Sequence, residues 1–91
     1  MKWIICYDIA DDRRRQRIAE ALLDFGARIQ ESIFDCELDS VLLEKLHRRL
    51  AGGIENTEDK IVFLPLCAAC ESRVLALGAA HLQSDPEFYV L

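Results

Sequence analysis

The chain predicts an α+β sandwich of element order βαββαβ with one more strand at its C-terminal end, two helices lying on one face of a mainly antiparallel sheet. Three observations carry that expectation. Trp3–Tyr7 and Ile61–Leu64 are short, nearly continuous apolar runs, the pattern of strands buried on both faces. Two segments repeat apolar residues at three-to-four spacing and run into glycine, as helices do. Between those segments, Ala27–Leu38 alternates like extended chain.

The elements follow in order. Trp3-Ile4-Ile5-Cys6-Tyr7 forms the first strand, closed by Asp8 and Ile9. Asp11 or Asp12 caps a helix whose stripe is Ile18, Ala19, Leu22, Leu23 and Phe25, and Gly26 ends it. From Ala27 the apolar positions are odd (Ala27, Ile29, Ile33) and then even (Phe34, Cys36, Leu38), so a bulge or sharp bend falls near Gln30–Phe34. No Gly, Pro or Asn marks a hairpin turn there, which leaves one bent strand and two tightly joined strands as alternatives. Asp39 or Ser40 caps the second helix, with Val41, Leu42, Leu43, Leu46 and Leu50 as its apolar side and Gly52-Gly53 as its stop. A polar, acidic loop, Ile54–Lys60, leads to the strand Ile61–Leu64, broken at Pro65. Ser72–Leu77 reads as a strand or a short helix. Gly78–Pro86 reads as a loop and Phe88–Leu91 as a terminal strand that needs a sheet edge, which a second copy of the chain would supply. The chain thus divides into a ferredoxin-like domain, 1–78, and a C-terminal loop and strand, 79–91, that pairs with the partner's sheet.

Ninety-one residues make one domain with a marginal core, which dimerisation would relieve. Hydrophobic residues at 52% and charged residues at 30% are ordinary for a folded soluble chain. No apolar run approaches the roughly 20 residues that cross a bilayer, and Met1-Lys2-Trp3 enters a strand without a signal-peptide pattern, so the expected compartment is the cytoplasm. The net charge of -5 argues against indiscriminate coating of nucleic acid. It conceals clustering, however: Arg13, Arg14, Arg15 and Arg17 stand together, while acids gather at Glu55, Glu58 and Asp59 and along Asp35, Glu37 and Asp39. A polarised surface of this kind can hold a polyanion on one face.

Asp8 at a strand tip, three residues before the arginine-dense segment Asp11–Arg17, suggests a site that handles phosphates. Guanidinium groups pair bidentately with phosphate oxygens. The competing account of each arginine is a solvated helix face with ion pairs to Asp11 and Asp12. Taken alone, a single carboxylate at a strand end more often caps a loop or pairs with an arginine than binds a metal. Arg48 and Arg49, in the last turn of the second helix, complement its dipole. Phe34 reads as core, and Tyr7 as a core aromatic within hydrogen-bonding reach of the strand tip. Cys67-Ala-Ala-Cys70 has the spacing of half a zinc site, but neither Cys6, Cys36, His47 nor His81 supplies the other half. An isolated C-x-x-C reads as structural thiols before a metal or redox site.

Taken together, these residues resemble the small CRISPR-associated spacer-acquisition protein, the second member of the adaptation pair (Cas-two). The likeness rests on Trp3–Ile9, Arg13–Arg17, Leu22-Leu23-Asp24-Phe25-Gly26 and the segment Gly26–Asp35, close to the family's G-x-R-x-Q-x-S-[VI]-F-[DE]. It continues through Lys60–Cys67, Cys70 and Gly78. Asp35 stands where Glu is commoner, and Glu31 adds a charge within the signature segment. The resemblance implies a ferredoxin-like homodimer whose C-terminal strands extend the partner's sheet. It implies bridging of dimers of the integrase partner (Cas-one) and binding of duplex DNA for spacer acquisition. It further implies a magnesium- or manganese-dependent endonuclease acting on single-stranded RNA or double-stranded DNA, with Asp8 as metal ligand and catalytic residue. A two-fold axis near the strand tip would bring two copies of Asp8 together. Arg13, Arg14, Arg15, Arg17 and Arg28 would contact nucleic acid, with Arg28 and Ser32 beside Asp8. Two further readings accompany this one: a non-catalytic adaptor with a vestigial Asp8, and a toxin-like messenger-RNA interferase of related fold.

Overall fold

The computed structural model describes residues 1–78. The terminal strand expected at Phe88–Leu91, and the whole segment 79–91, lie outside the described residues. The chain runs β1 (Lys2–Asp8), α1 (Asp12–Leu23), β2 (Gly26–Gln30), β3 (Ile33–Glu37), α2 (Ser40–Ala51), β4 (Lys60–Leu66) and a single turn, α3 (Ala68–Glu71). The sheet order is β2-β3-β1-β4, with every neighbouring pair antiparallel. This is the ferredoxin-like sandwich expected from the sequence.

Both long helices begin where an aspartate can satisfy an orphan backbone donor. Asp11 accepts from the Arg14 N–H at 2.9 Å, and Asp39 accepts from the Leu42 N–H at 2.8 Å. Ile18, Ala19, Ala21 and Leu22 of α1 and Leu46 and Leu50 of α2 close over Ile5 and Tyr7 of β1 and Phe34 and Cys36 of β3. The stripes are narrower than expected. Leu23 is 54% exposed and Val41 61% exposed, because each lies outside the arc that meets the sheet.

The uncertain middle segment is a hairpin of two strands. Glu31 and Ser32 form the turn, and the register slips between Arg28 and Gln30, a bulge at Ile29 just before the expected stretch; the odd-to-even change arises because Ala27 and Ile33 lie on one face of the sheet and Phe34 and Cys36 on the other. None of the described non-glycine residues has a positive φ, so the turn is neither of the mirror-image types that match strand twist. The bulge accommodates that mismatch. Gly26 does not end α1, which stops at Leu23 with Asp24 as its C-cap. It opens β2, where a β-carbon would run into the Asp35 carbonyl oxygen and the Cys36 Sγ. Close backbone approach, rather than turn conformation, requires glycine there.

Three further expectations need correction. β4 continues through Pro65 to Leu66, as an edge strand can. Ser72–Leu77 forms neither strand nor helix, since among the described residues α3 is the last regular element. β1 is buried on one face only: Trp3, Ile5 and Tyr7 turn to α1 and α2, whereas Ile4 and Cys6 lie half-buried on the opposite face. The register places Ile33 of β3 and Val62 and Leu64 of β4 on that same open face, the latter two 50% and 48% exposed. Beside them lies an ion pair: Lys2 Nζ donates to Asp35 Oδ1 at 3.2 Å, both side chains buried, with Glu71 Oε1 4.0 Å from the same ammonium. The acid that ends the signature segment is therefore the counter-ion of a buried lysine. Among the described residues no helix is long and apolar enough to cross a membrane.

Candidate functional site

Asp8 is the last residue of β1 and is exposed. Strand alternation gives it the parity of Ile4 and Cys6, the residues of the open face. Across the ladder it stands opposite Lys60, yet among the described residues its carboxylate makes no hydrogen bond or ion pair. The account in which Asp8 caps the next loop is thus not what the structure contains; Asp11 does that work.

Tyr7 builds the wall beside Asp8. Its ring is buried and stacked near Phe34, with ring centroids 6.2 Å apart. Its hydroxyl donates to the Glu31 carbonyl at 2.9 Å, and its backbone N–H donates to the Ser32 carbonyl at 3.1 Å. Two bonds from one residue therefore hold the β2–β3 turn against the tip of β1. The result is an open pocket of about 300 Å³ lined by Tyr7, Asp8, Ile9, Arg15, Glu31 and Ser32. Glu31, which the sequence showed only as an added charge, is a second acidic residue lining this pocket. Its position in the turn was the available signal, and the hairpin had to be resolved before that signal could be read.

The arginine run divides by side-chain direction. Arg14 is committed inward, its Nε donating to Asp59 Oδ2 at 2.8 Å and its Nη2 to Glu58 Oε2 at 2.8 Å. Asp59 is buried and also accepts from the Glu55 N–H at 2.9 Å and the Ala10 N–H at 3.4 Å. It therefore clasps the acidic loop to the start of α1. The Arg14 side chain, then the Glu55 N–H, hold the Asp59 carboxyl below the usual carboxylate range. The Arg14 N–H does the same for Asp11. Arg15 is half-buried; it donates to the Ile9 carbonyl at 3.1 Å and pairs with Asp12, so it braces the pocket it lines. Arg13 and Arg17 are exposed and make no ion pair among the described residues. Arg48 pairs with Glu44 and Arg49 with Asp24, both at the surface.

Arg28 projects from the edge strand β2 with its guanidinium 5.2 Å from the centre of the Phe34 ring, a cation–π contact. It does not line the Asp8 pocket; Ser32 does. Phe34 is fully buried, as expected. Among the described residues no group of three or more His, Cys, Asp or Glu is placed to hold a metal ion. The oxygen donors at hand are Asp8 and Glu31. They suit a hard cation that keeps most of its waters and takes one or two carboxylates from the protein.

The family model described as CRISPR associated protein Cas2 matches residues 1–74. A protein of Rhodospirillum rubrum named CRISPR-associated endoribonuclease Cas2 4 is 38% identical over 78 residues, 86% of this chain. This chain spans only 63% of that relative's length. A Synechocystis protein named CRISPR-associated endoribonuclease Cas2 2 is 36% identical over 90 residues, covering 98% of this chain and 97% of that one. The crystal structure of Streptococcus pyogenes Cas2 at pH 6.5 superposes with a TM-score of 0.78 at 28% identity, covering 86% of this chain and 100% of that one.

Proposed function

Because this chain belongs to the family of CRISPR-associated protein Cas2, we propose that it acts as a homodimeric subunit of CRISPR adaptation with a phosphodiesterase site at Asp8. In this reading it bridges integrase dimers of Cas-one and binds duplex DNA during spacer acquisition. The observation that carries the site is the Asp8 carboxylate, exposed at the tip of β1 and without a protein partner among the described residues, in a pocket with Arg15, Glu31 and Ser32.

Pairing of two copies through the open sheet face is supported by Ile4, Cys6, Ile33, Val62 and Leu64, an apolar surface that neither long helix covers. Asp8 shares the parity of that face, so pairing there brings two carboxylates toward one another. Like charges so placed repel, which favours a cation between them. Asp8 of each copy, with Glu31 beside it, would hold magnesium or manganese. Such an ion supplies Lewis acidity toward a phosphoryl oxygen and a more acidic bound water. The chain's own part is positional. Arg13 and Arg17 offer exposed guanidinium groups to the phosphates of an incoming strand, and Arg15 forms the wall that keeps the strand tip and its loop in place. The name endoribonuclease carried by the relatives supports RNA as a substrate. The adaptor role supports duplex DNA.

A non-catalytic adaptor is the second reading, favoured by the small donor set, two carboxylates per copy. Asp8→Asn decides between them. The purified variant is compared with the wild type on single-stranded RNA and on duplex DNA with magnesium, manganese or chelator. Its assembly with the integrase partner and a short duplex is followed by size exclusion. The catalytic reading expects cleavage to vanish while dimer and ternary complex persist. Cleavage that survives the substitution sinks the site. A chain that stays monomeric at all concentrations sinks the pairing.

A further inference from the structure

Cys67 and Cys70, which the isolated motif suggested as structural thiols, are both exposed. They lie where β4 ends and α3 begins, and the Glu71 N–H donates to the Cys67 carbonyl at 2.8 Å to close the turn around them. Cys67 is the extended N-cap of α3 and Cys70 its third residue, a placement in which the cap side chain points back over the third residue of the turn, and one exposed turn can supply the closure a disulfide requires. The two thiols differ in environment. Cys67 is held below the ordinary thiol value by the N–H and thiol of Cys70 and by the N–H of Ala69. Cys70 is held above the ordinary value by its neighbour's sulfur. The remaining cysteines lack this arrangement. Cys36 is fully buried, and burial pushes its thiol up to about 11. Cys6 is half-buried on the sheet.

We propose that Cys67 and Cys70 form a thiol–disulfide exchange site for a low-molecular-weight disulfide, with Cys67 as the attacking thiol and Cys70 as the resolving one. The Cys67 thiolate attacks one sulfur of the disulfide, forming a mixed disulfide and releasing one thiolate. The Cys70 sulfur, giving up its proton, then attacks the Cys67 sulfur and releases the second thiolate. Two electrons pass from the protein dithiol to the small disulfide; the products are one Cys67–Cys70 bond and two small thiols. The oxidation state bears on the sheet, because α3 also carries Glu71 to 4.0 Å from the Lys2 ammonium on the open face. This inference does not rest on the proposed nuclease site.

The full chain, first reduced, is equilibrated with glutathione and glutathione disulfide at a series of ratios. It is then quenched in acid, alkylated and read by mass spectrometry. The expected result is loss of two of the four thiols, mapped to one Cys67–Cys70 bond. Cys70→Ser should accumulate a glutathione adduct on Cys67, whereas Cys67→Ser should react several-fold more slowly. Both positions are exposed, so circular dichroism is expected to show each variant folded, and Cys36→Ser should leave the reaction unchanged. Survival of all thiols in glutathione disulfide alone, faster reaction at Cys70 than at Cys67, or retention of stoichiometric zinc by the pair would each overturn the proposal.

Discussion

Replacing Asp35 with Asn tests the ion pair that lies on the open sheet face. The Lys2 and Asp35 side chains are 3% and 1% exposed, so the substitution removes the counter-charge from an ammonium that water cannot reach. Breaking a buried pair by losing one partner destabilises by about 3–5 kcal/mol. Glu71, 4.0 Å from Lys2 and partly exposed, retains some compensation, which puts the expected loss near the lower bound, about 3 kcal/mol. A chain of this length has a total stability of roughly 5–14 kcal/mol, so the loss is a sizeable fraction. With a urea slope of about 1–1.5 kcal/mol/M, the midpoint should fall by about 2–3 M. Urea unfolding followed by circular dichroism measures it, at fixed protomer concentration because pairing of copies would contribute to stability. The double variant Lys2→Met/Asp35→Leu removes both charges and should return to within about 1 kcal/mol of the wild type. A single variant that loses less than about 1 kcal/mol, or a double variant no more stable than the single, would refute the assignment of this pair as a buried, mutually dependent unit.

Three other expectations follow from the same geometry. Arg13→Ala and Arg17→Ala should each reduce the salt dependence of duplex-DNA binding by about one unit of log–log slope at an unchanged urea midpoint. Arg14→Ala should lower the midpoint and leave the slope alone, and anisotropy titrations at several salt concentrations separate the two classes. The folded-state pKa values of Asp59 and Asp11 are depressed, so their contribution to stability is fully present above the unfolded carboxylate value of about 3.9 and disappears as pH falls through the folded values. Acid titration of stability should therefore show a loss that begins near pH 4, and Arg14→Ala, which removes the largest cause at Asp59, should flatten it. Gly26→Ala should destabilise by about 2–3 kcal/mol, the upper part of the overpacking range, because the added carbon meets backbone that cannot swing aside. A thermal melt indistinguishable from wild type would show that β2 and β3 can separate without penalty.

Local chemistry explains which features were legible before the structure. Capping by Asp11 and Asp39 is written in side chains that satisfy donors three residues away, so both helix starts were readable to within a residue. The phase change in Ala27–Leu38 pointed to an irregularity near Gln30–Phe34, where the turn falls, because alternation is a property of the strand itself, while the register slip lies just before it at Ile29. It could not distinguish a bend from a hairpin, since the Glu31-Ser32 turn has none of the glycine or asparagine that marks the mirror-image types. Gly26 misled for a related reason: glycine stops helices and also permits close strands, and only the position of Asp35 and Cys36 decides. The fates of the arginines were beyond reach. Arg13, Arg14, Arg15 and Arg17 are chemically identical, and their separation into exposed groups and braces depends on Asp59, 45 residues beyond Arg14.

That separation changes what a negatively charged chain can do with nucleic acid. A run of four arginines reads as one patch, but Arg14 is neutralised by Asp59 and Glu58, and Arg15 by Asp12 and the Ile9 carbonyl. Of that run, only Arg13 and Arg17 are therefore available to a phosphate on one copy, too few by themselves for strong sequence-independent binding, which requires many phosphate contacts. Two copies double it. If pairing uses the open face, the two-fold axis that doubles the exposed arginines also brings together the Asp8 carboxylates, because strand parity ties Asp8 to Ile4 and Cys6. Loss of pairing should then remove nucleic-acid binding and metal binding together, whereas Asp8→Asn should remove only the second. Duplex binding by a monomeric variant, such as one with Val62→Glu and Leu64→Glu on the open face, at the affinity and salt slope of the wild type would break that link.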